Sequence, residues 1–211
     1  MRTELWSDNP QRQVAGMRRA APSSKNLPLV EEQAASEEVR ALFAQYREQF
    51  GRADLPGIVL CFATSPGLLR GMLQIAGGLL FCESLLSSQH KEMIATYLSQ
   101  QNACAYCTDS HAALLAVQGG SAELICNLQD GELNAGVLTD AEVALLRFTG
   151  KVNSDSSALI RADVEALIEA GWTESQVAEA VHIAALFAAF NRIANGFGLP
   201  SPYPEGLREQ L

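Results

Sequence analysis

The sequence predicts an all-α fold, a single-domain bundle of about eight helices. Apolar residues recur at three- and four-residue intervals along most of the chain, the period of a helix with one buried face. Ser, Thr or Asp precedes most of these runs and Gly follows several of them, as helix caps do. Nowhere do apolar and polar residues alternate as a half-buried strand requires. With 48% apolar residues in 211, the chain can build a substantial core.

Residues 1–30 read as an extended N-terminal arm, because Pro10, Pro22, Ser23, Ser24 and Pro28 interrupt any period. The arm is either a loosely packed tail or a strap around a neighbouring subunit, anchored by Trp6 and Leu29. Residues 31–200 form the helical domain. Its first helix runs from about Glu32 to Phe50, with Val39, Leu42, Phe43, Tyr46 and Phe50 on one face and Gly51 as the stop. The apolar run Ile58–Thr64 reads as helix, since no partner strand exists. Ser65-Pro66 supplies a cap and a first-turn proline for a helix reaching about Cys82. Gly71, Gly77 and Gly78 weaken it, so it bends or another helix packs closely there.

Ser88–Gln101 follows, with Met93, Ile94, Tyr97 and Leu98 as its apolar face. Asn102 caps the next helix, which Gly119-Gly120 stops. Ser121 opens a short helix ending near Asp130-Gly131. Thr139 with Glu142, and Thr173 with Gln176, spell capping boxes for helices reaching about Val152 and Asn195. Asp163 caps a short helix between them. The last helix is apolar nearly all round and should be central. Pro200, Pro202 and Pro204 mark the end of the domain, leaving residues 201–211 as a C-terminal tail.

Charged residues are 18% of the chain and the net charge is −9, with no basic cluster larger than Arg18-Arg19; this argues against nucleic acid as a partner. An odd count of five cysteines argues against a secreted disulfide framework. The first ten residues lack a signal peptide's apolar segment. The longest greasy run, Val181–Phe190, is about half the roughly 20 residues of a membrane span. A reducing, cytoplasmic setting with no membrane partner is expected. There a C-x-x-C pair is catalytic or metal-binding rather than a structural disulfide.

The chemistry concentrates in Glu92–His111. Cys104, Cys107 and His111 fall within about 60° of one another on a helical wheel, so two sulfurs and an imidazole share one stripe. A helix start favours thiolate over thiol through its unpaired N–H groups. Glu92, twelve residues before Cys104, has small neighbours in Ala95, Thr96 and Ser99. Small residues let another helix approach and bury the carboxylate; otherwise Glu92 is an ordinary solvated glutamate.

Three readings compete for this pair. A thioredoxin-type centre needs a strand before the motif, and none is present. Structural zinc needs four ligands, and Glu92 would have to complete the set of Cys104, Cys107 and His111. A peroxide-reducing dithiol needs an attacking sulfur, a resolving sulfur and a proton carrier, which the residue types supply. A non-catalytic redox sensor and a dithiol oxidoreductase with some other oxidant stand as alternatives.

The spacing Glu92…Cys104-x-x-Cys107-x-x-x-His111 resembles the E…C-x-x-C-x-x-x-H pattern of the AhpD-like alkylhydroperoxidases, within the carboxymuconolactone decarboxylase superfamily. The stretch H-K-E-M-I-A-T-Y-L-S-Q-Q-N-A-C-A-Y-C-T-D-S-H-A-A-L-L is similar to that family's core. R-A-D-V-E-A-L-I-E-A-G-W-T-E-S-Q-V-A-E-A-V and F-N-R-I-A-N-G-F-G are similar to its uncharacterised peroxidase-related branch. The likeness spans about residues 35–200. It implies an all-helical subunit of a homo-oligomer that reduces hydroperoxides with a thiol reductant, either a lipoyl carrier or a thioredoxin-like protein. Carried over by position, Cys107 is the peroxidatic sulfur, Cys104 its resolving partner, and His111 with Glu92 the proton relay. No cofactor or metal belongs to this reading. The helix-terminus argument favours attack by Cys104, but the imidazole four residues on favours Cys107, which is preferred here. Tyr106 departs from the histidine that some alkylhydroperoxidases place before the second cysteine.

The remaining candidates have structural readings. Cys61, Cys82 and Cys126 lie in apolar segments as small core residues, and His90 lies on the surface. His182 is a core histidine or an active-site wall. Asn191 and Asn195 need hydrogen-bond partners, sought across a subunit interface, and Trp172 packs at a helix end.

Overall fold

The computed structural model describes residues 19–134 and 136–208, and every regular element among them is helical. In chain order these are α1 (Glu37–Phe50), α2 (Gly57–Phe62), α3 (Pro66–Ile75), α4 (Ser88–Gln101), α5 (Ala105–Val117), α6 (Ala122–Asp130), α7 (Asp140–Asp155), α8 (Arg161–Glu169) and α9 (Glu174–Phe197). Trp6 lies outside the described residues.

Local chemistry sets the ends. The Ser36 hydroxyl accepts from Val39 N–H, so α1 starts at Glu37, and Glu32–Ala34 is a separate 3-10 turn rather than part of it. α3 stops at Ile75 instead of continuing to Cys82, and the chain passes into one π turn over Ala76–Leu80. A Cβ at Gly77 would collide with the Gln49 side-chain amide of α1, so a bend and a close approach coincide there. Both capping boxes form at Thr139 and Thr173. Asp163 is not the cap of α8; it is the third helical residue, and its carboxylate accepts from Ile160 N–H at 2.9 Å.

Packing follows from where the apolar faces fall. Val39, Leu42, Phe43, Tyr46 and Phe50 of α1 meet Leu69, Met72 and Leu73 of α3 in one cluster. A larger cluster joins α4 to α7 and α9. α9 does touch α2, α4, α5, α7 and α8, as a central helix should. It is long and apolar enough to cross a membrane by composition, but half of that window is buried inside this protein. Its outer face carries His182, which is exposed with Nδ1 on the Ala178 carbonyl at 2.7 Å, so His182 is neither core nor site wall.

The helix buried on every side is α4. Lys91 through Ser99 are all buried, including Lys91, Glu92, Thr96 and Ser99. Buried polar groups persist only when answered. Lys91 Nζ lies 3.4 Å from Glu179 Oε1 and donates to the Cys82 carbonyl at 2.9 Å. Glu179 also accepts from Ser84 Oγ and from the N–H groups of Leu85 and Leu86, tying the loop before α4 to α9. Asn191 of α9 donates to Ser99 Oγ at 3.0 Å and accepts from Asn102 at 2.9 Å, while Asn195 donates to the Asn102 carbonyl. These asparagines find their partners inside the chain, not across an interface.

Both ends of the described chain fold onto this core. Lys25 and Asn26 N–H donate to the carbonyls of Gly198 and Phe197, Leu29 is partly buried near the cysteines, and Ala20 N–H reaches Pro202. Tyr203 and Leu207 are buried in the main core.

Burial would raise the Glu179 carboxyl, but hydrogen bonds from Ser84 and Leu86 and the charge of Lys91 outweigh it and hold the group below the usual glutamate range. Its contribution to stability is therefore present above the unfolded-state value, about 4.3, and is lost as pH falls through the lower folded-state value. Glu179→Gln is expected to cost about 3 kcal/mol at neutral pH, and the cost to shrink in acid, measured by urea unfolding as a function of pH.

Candidate active site

The reversal between α4 and α5 brings the site together. Ala103, with φ 50°, sits in the left-handed region, where its N–H donates to Gln100 O and that of Cys104 to Ser99 O, both at 2.9 Å. This is a Schellman turn with alanine where glycine is usual. Asn102 is thus the C-cap of α4, not the N-cap of α5; Cys104 takes that position, and its sulfur accepts from Cys107 N–H at 3.3 Å. The Asn102 side chain instead links Asn153 and Asn191, fixing the turn to α7 and α9.

Cys104 and Cys107 are joined as a disulfide with Cα atoms 5.3 Å apart. One helical turn past Cys107, His111 Nδ1 lies 2.6 Å from Glu92 Oε2 of α4. A carboxylate only accepts, so Nδ1 carries the proton and Nε2 is left as the basic nitrogen. Glu92 is 4% exposed, so its negative charge acts with little screening. The Phe187 ring of α9 packs edge-on to the imidazole, with centroids 4.7 Å apart, and holds its plane. All four predicted residues therefore meet where α4 and α5 pack.

Their surroundings differ. Cys107, Ser110 and His111 line a partly open cavity of about 90 Å³ whose walls include Val59, Leu73 and Phe187. Cys104 does not line it; it borders a shallow groove with Gln129 and Arg208. Tyr106 lies between the pair, its hydroxyl accepting from Ile58 N–H at 3.2 Å, and burial pushes its pKa up, so the phenol stays neutral. Ser110 and Phe187 were not singled out by sequence; Ser110 at three residues from Cys107 was the readable signal.

The other cysteines separate on burial. Cys61 is buried beside the pair, and desolvation pushes its thiol up to about 12. Cys82 and Cys126 are only partly buried, so they are not core residues as their apolar surroundings predict. His90, two residues before Glu92, is half-buried rather than on the surface, with its ring 3.4 Å from Glu142 and edge-on to Trp172, which donates to the Ala141 carbonyl. Among the described residues, no three His, Cys, Asp or Glu side chains converge so as to hold a metal ion.

A helical core with Glu92, Cys104, Cys107 and His111 set on two packed helices defines an AhpD-like protein. Residues 66–129, covering all four, match the carboxymuconolactone decarboxylase family. The chain is similar to the alkylhydroperoxidase AhpD core of an uncharacterized peroxidase-related protein from Ralstonia eutropha JMP134, with 28% identity and TM-score 0.75 over 88% of this chain and 95% of that one. It is similar also to an uncharacterized peroxidase-related protein from Silicibacter sp. TM1040, with 24% identity and TM-score 0.72 over 90% and 98% of the two chains. The debrominase Bmp8, bound to 2,3,4-tribromopyrrole, shares the fold at 17% identity and TM-score 0.63, over 89% and 99%. Comparison with curated proteins finds no match. Residues 66–129 thus carry the carboxymuconolactone decarboxylase family pattern, and the chain as a whole has the fold of the AhpD core.

Two outcomes follow from this geometry. Ala103→Gly is expected to raise stability by about 1 kcal/mol in chemical denaturation, since glycine adopts the left-handed turn without a Cβ clash. In the reduced protein at pH 8, iodoacetamide should leave Cys61 unmodified, as mass spectrometry of its peptide would show.

Proposed function

We propose that this protein is a thiol-dependent peroxidase that reduces small or organic hydroperoxides by cycling Cys104 and Cys107 between dithiol and disulfide. One observation carries the reading: Cys107 shares its cavity with His111, whose other nitrogen is engaged by the buried carboxylate of Glu92.

In the reduced protein His111 Nε2 takes the Cys107 proton, and Glu92 stabilises the imidazolium that results. The thiolate attacks the terminal oxygen of the hydroperoxide. An S–O bond forms, the O–O bond breaks, and the alkoxide leaves with the proton from His111 as an alcohol. Cys107 is then a sulfenic acid. The Cys104 thiol displaces its oxygen, forming the S–S bond, and the hydroxyl leaves with the Cys104 proton as water. Two thiols and one hydroperoxide have become a disulfide, an alcohol and water. A thiol reductant, a lipoyl carrier or a thioredoxin-like protein, restores the dithiol. A reducing, cytoplasmic setting supplies one, and assembly as a homo-oligomer accords with the resemblance that the sequence carries.

The buried position of Cys107 on the apolar cavity favours it as the attacking sulfur, because Cys104 lacks both the cavity and the base. Cys107→Ser is expected to abolish hydroperoxide consumption with a dithiol reductant. Cys104→Ser should still accumulate one sulfenic acid per chain, captured by dimedone and read by mass spectrometry. Capture at Cys104 in the Cys107→Ser protein would reverse the two roles.

A further inference from the structure

One part of the cavity that Cys107 lines is rich in hydrogen-bond donors and poor in acceptors. The Arg19 and Arg52 side chains both line it, only 15% and 8% exposed. Both reach one carboxylate: Arg52 Nε donates to Asp54 Oδ1 at 3.0 Å and Nη2 to Oδ2 at 2.5 Å, and Arg19 Nη1 donates to the same Oδ2 at 3.4 Å. Two guanidiniums against one aspartate leave an excess positive charge, and Asp54, 55% exposed, is itself largely solvated. Tyr46 and Tyr203 line the same cavity, both are over nine-tenths buried, and among the described residues neither hydroxyl has a hydrogen-bond partner. Burial pushes both phenols up, Tyr203 to about 12, so they remain donors at neutral pH. The Arg19 guanidinium lies 5.9 Å from the Tyr203 ring centroid, which keeps these groups in one cluster.

Buried donors without acceptors are costly to fold, and two free phenol hydroxyls beside two arginines that share one carboxylate are what an anionic ligand would answer. The arginines, with Pro56 and Tyr106, also line a wider cavity of about 700 Å³ formed with residues 20–23 and 200–202. The donor cluster thus stands between an outer vestibule and the apolar chamber of Cys107. A carboxylate fits it: two oxygens with about four lone-pair sites, planar to match a guanidinium fork, and charged to cancel the excess.

We propose that Arg19, Arg52, Tyr46 and Tyr203 bind the carboxylate of the substrate, which makes that substrate an acidic organic hydroperoxide whose apolar chain lies along the chamber toward Cys107. The hydroperoxide part rests on the peroxidase reading; the recognition of a carboxylate does not. The reaction balances as above, releasing a hydroxy acid and water.

Two measurements on the full chain separate the claims. Calorimetric titration of the disulfide form with decanoate and with decanol should give at least about tenfold tighter binding of the acid. Arg52→Gln and Arg19→Gln, made separately, should each narrow that ratio, and equal affinity for the two probes in the unsubstituted protein overturns the proposal. Stopped-flow oxidation of the reduced protein should then be at least about tenfold faster with linoleic acid hydroperoxide than with its methyl ester. Equal rates overturn the acidic-substrate proposal and leave the peroxidase reading standing. Oxidation by neither compound, with decanoate still preferred over decanol, sinks the peroxidase reading and retains the carboxylate site.

Discussion

The fold depends on one constraint: α4 is enclosed by other helices on all sides, yet it carries a lysine, a glutamate, a threonine and a serine within that enclosure. Each polar group there must find a partner at a fixed position, because water cannot substitute. Lys91 fixes the incoming loop and α9 through Glu179. Ser99 fixes the outgoing turn through Asn191. Glu92, between them, is answered by His111 of α5. The same requirement that makes the helix stable in its slot orients the imidazole, so the candidate proton relay is inseparable from the packing of the core.

Two sulfurs three residues apart end up in unlike settings because a helix begins between them. Cys104 is the cap, outside the regular dihedrals and held in a hydrogen bond to the backbone. Cys107 is inside the first turn and turned to the cavity. Cys61, close by but at the C-terminal end of α2 and without a base, is held as a neutral thiol. Residue type alone does not separate these three; position relative to a helix start does.

Much of this was legible from the residues. Serine and threonine caps marked four helix starts, two of them with a glutamate or glutamine partner, and the spacing of Glu92, Cys104, Cys107 and His111 named the quartet. What was hidden had physical reasons. Hydropathy found α9 central but not the burial of α4, whose charges only partners distant in sequence neutralise. Ala103 gave no turn signal, because glycine or asparagine is the residue read as left-handed, and Asn102 therefore read as a start instead of an end. His182 sits in an apolar run whose outward stripe is alanine, so its exposure was masked by small neighbours. Arg19 stood out only as half of the pair Arg18-Arg19 and Arg52 not at all, because only the folded chain brings them to one aspartate over a cavity.

The depth of the sulfur pair governs how it can be regenerated in the proposed cycle. Cys104 and Cys107 are 0% and 5% exposed, and disulfide exchange needs an incoming sulfur in contact with one of them. A folded partner presenting a cysteine on a broad surface would be stopped at the rim by its own bulk. In that cycle the reductant is one whose thiol rides on a slender stalk, or one that first parts the helices to reach the pair.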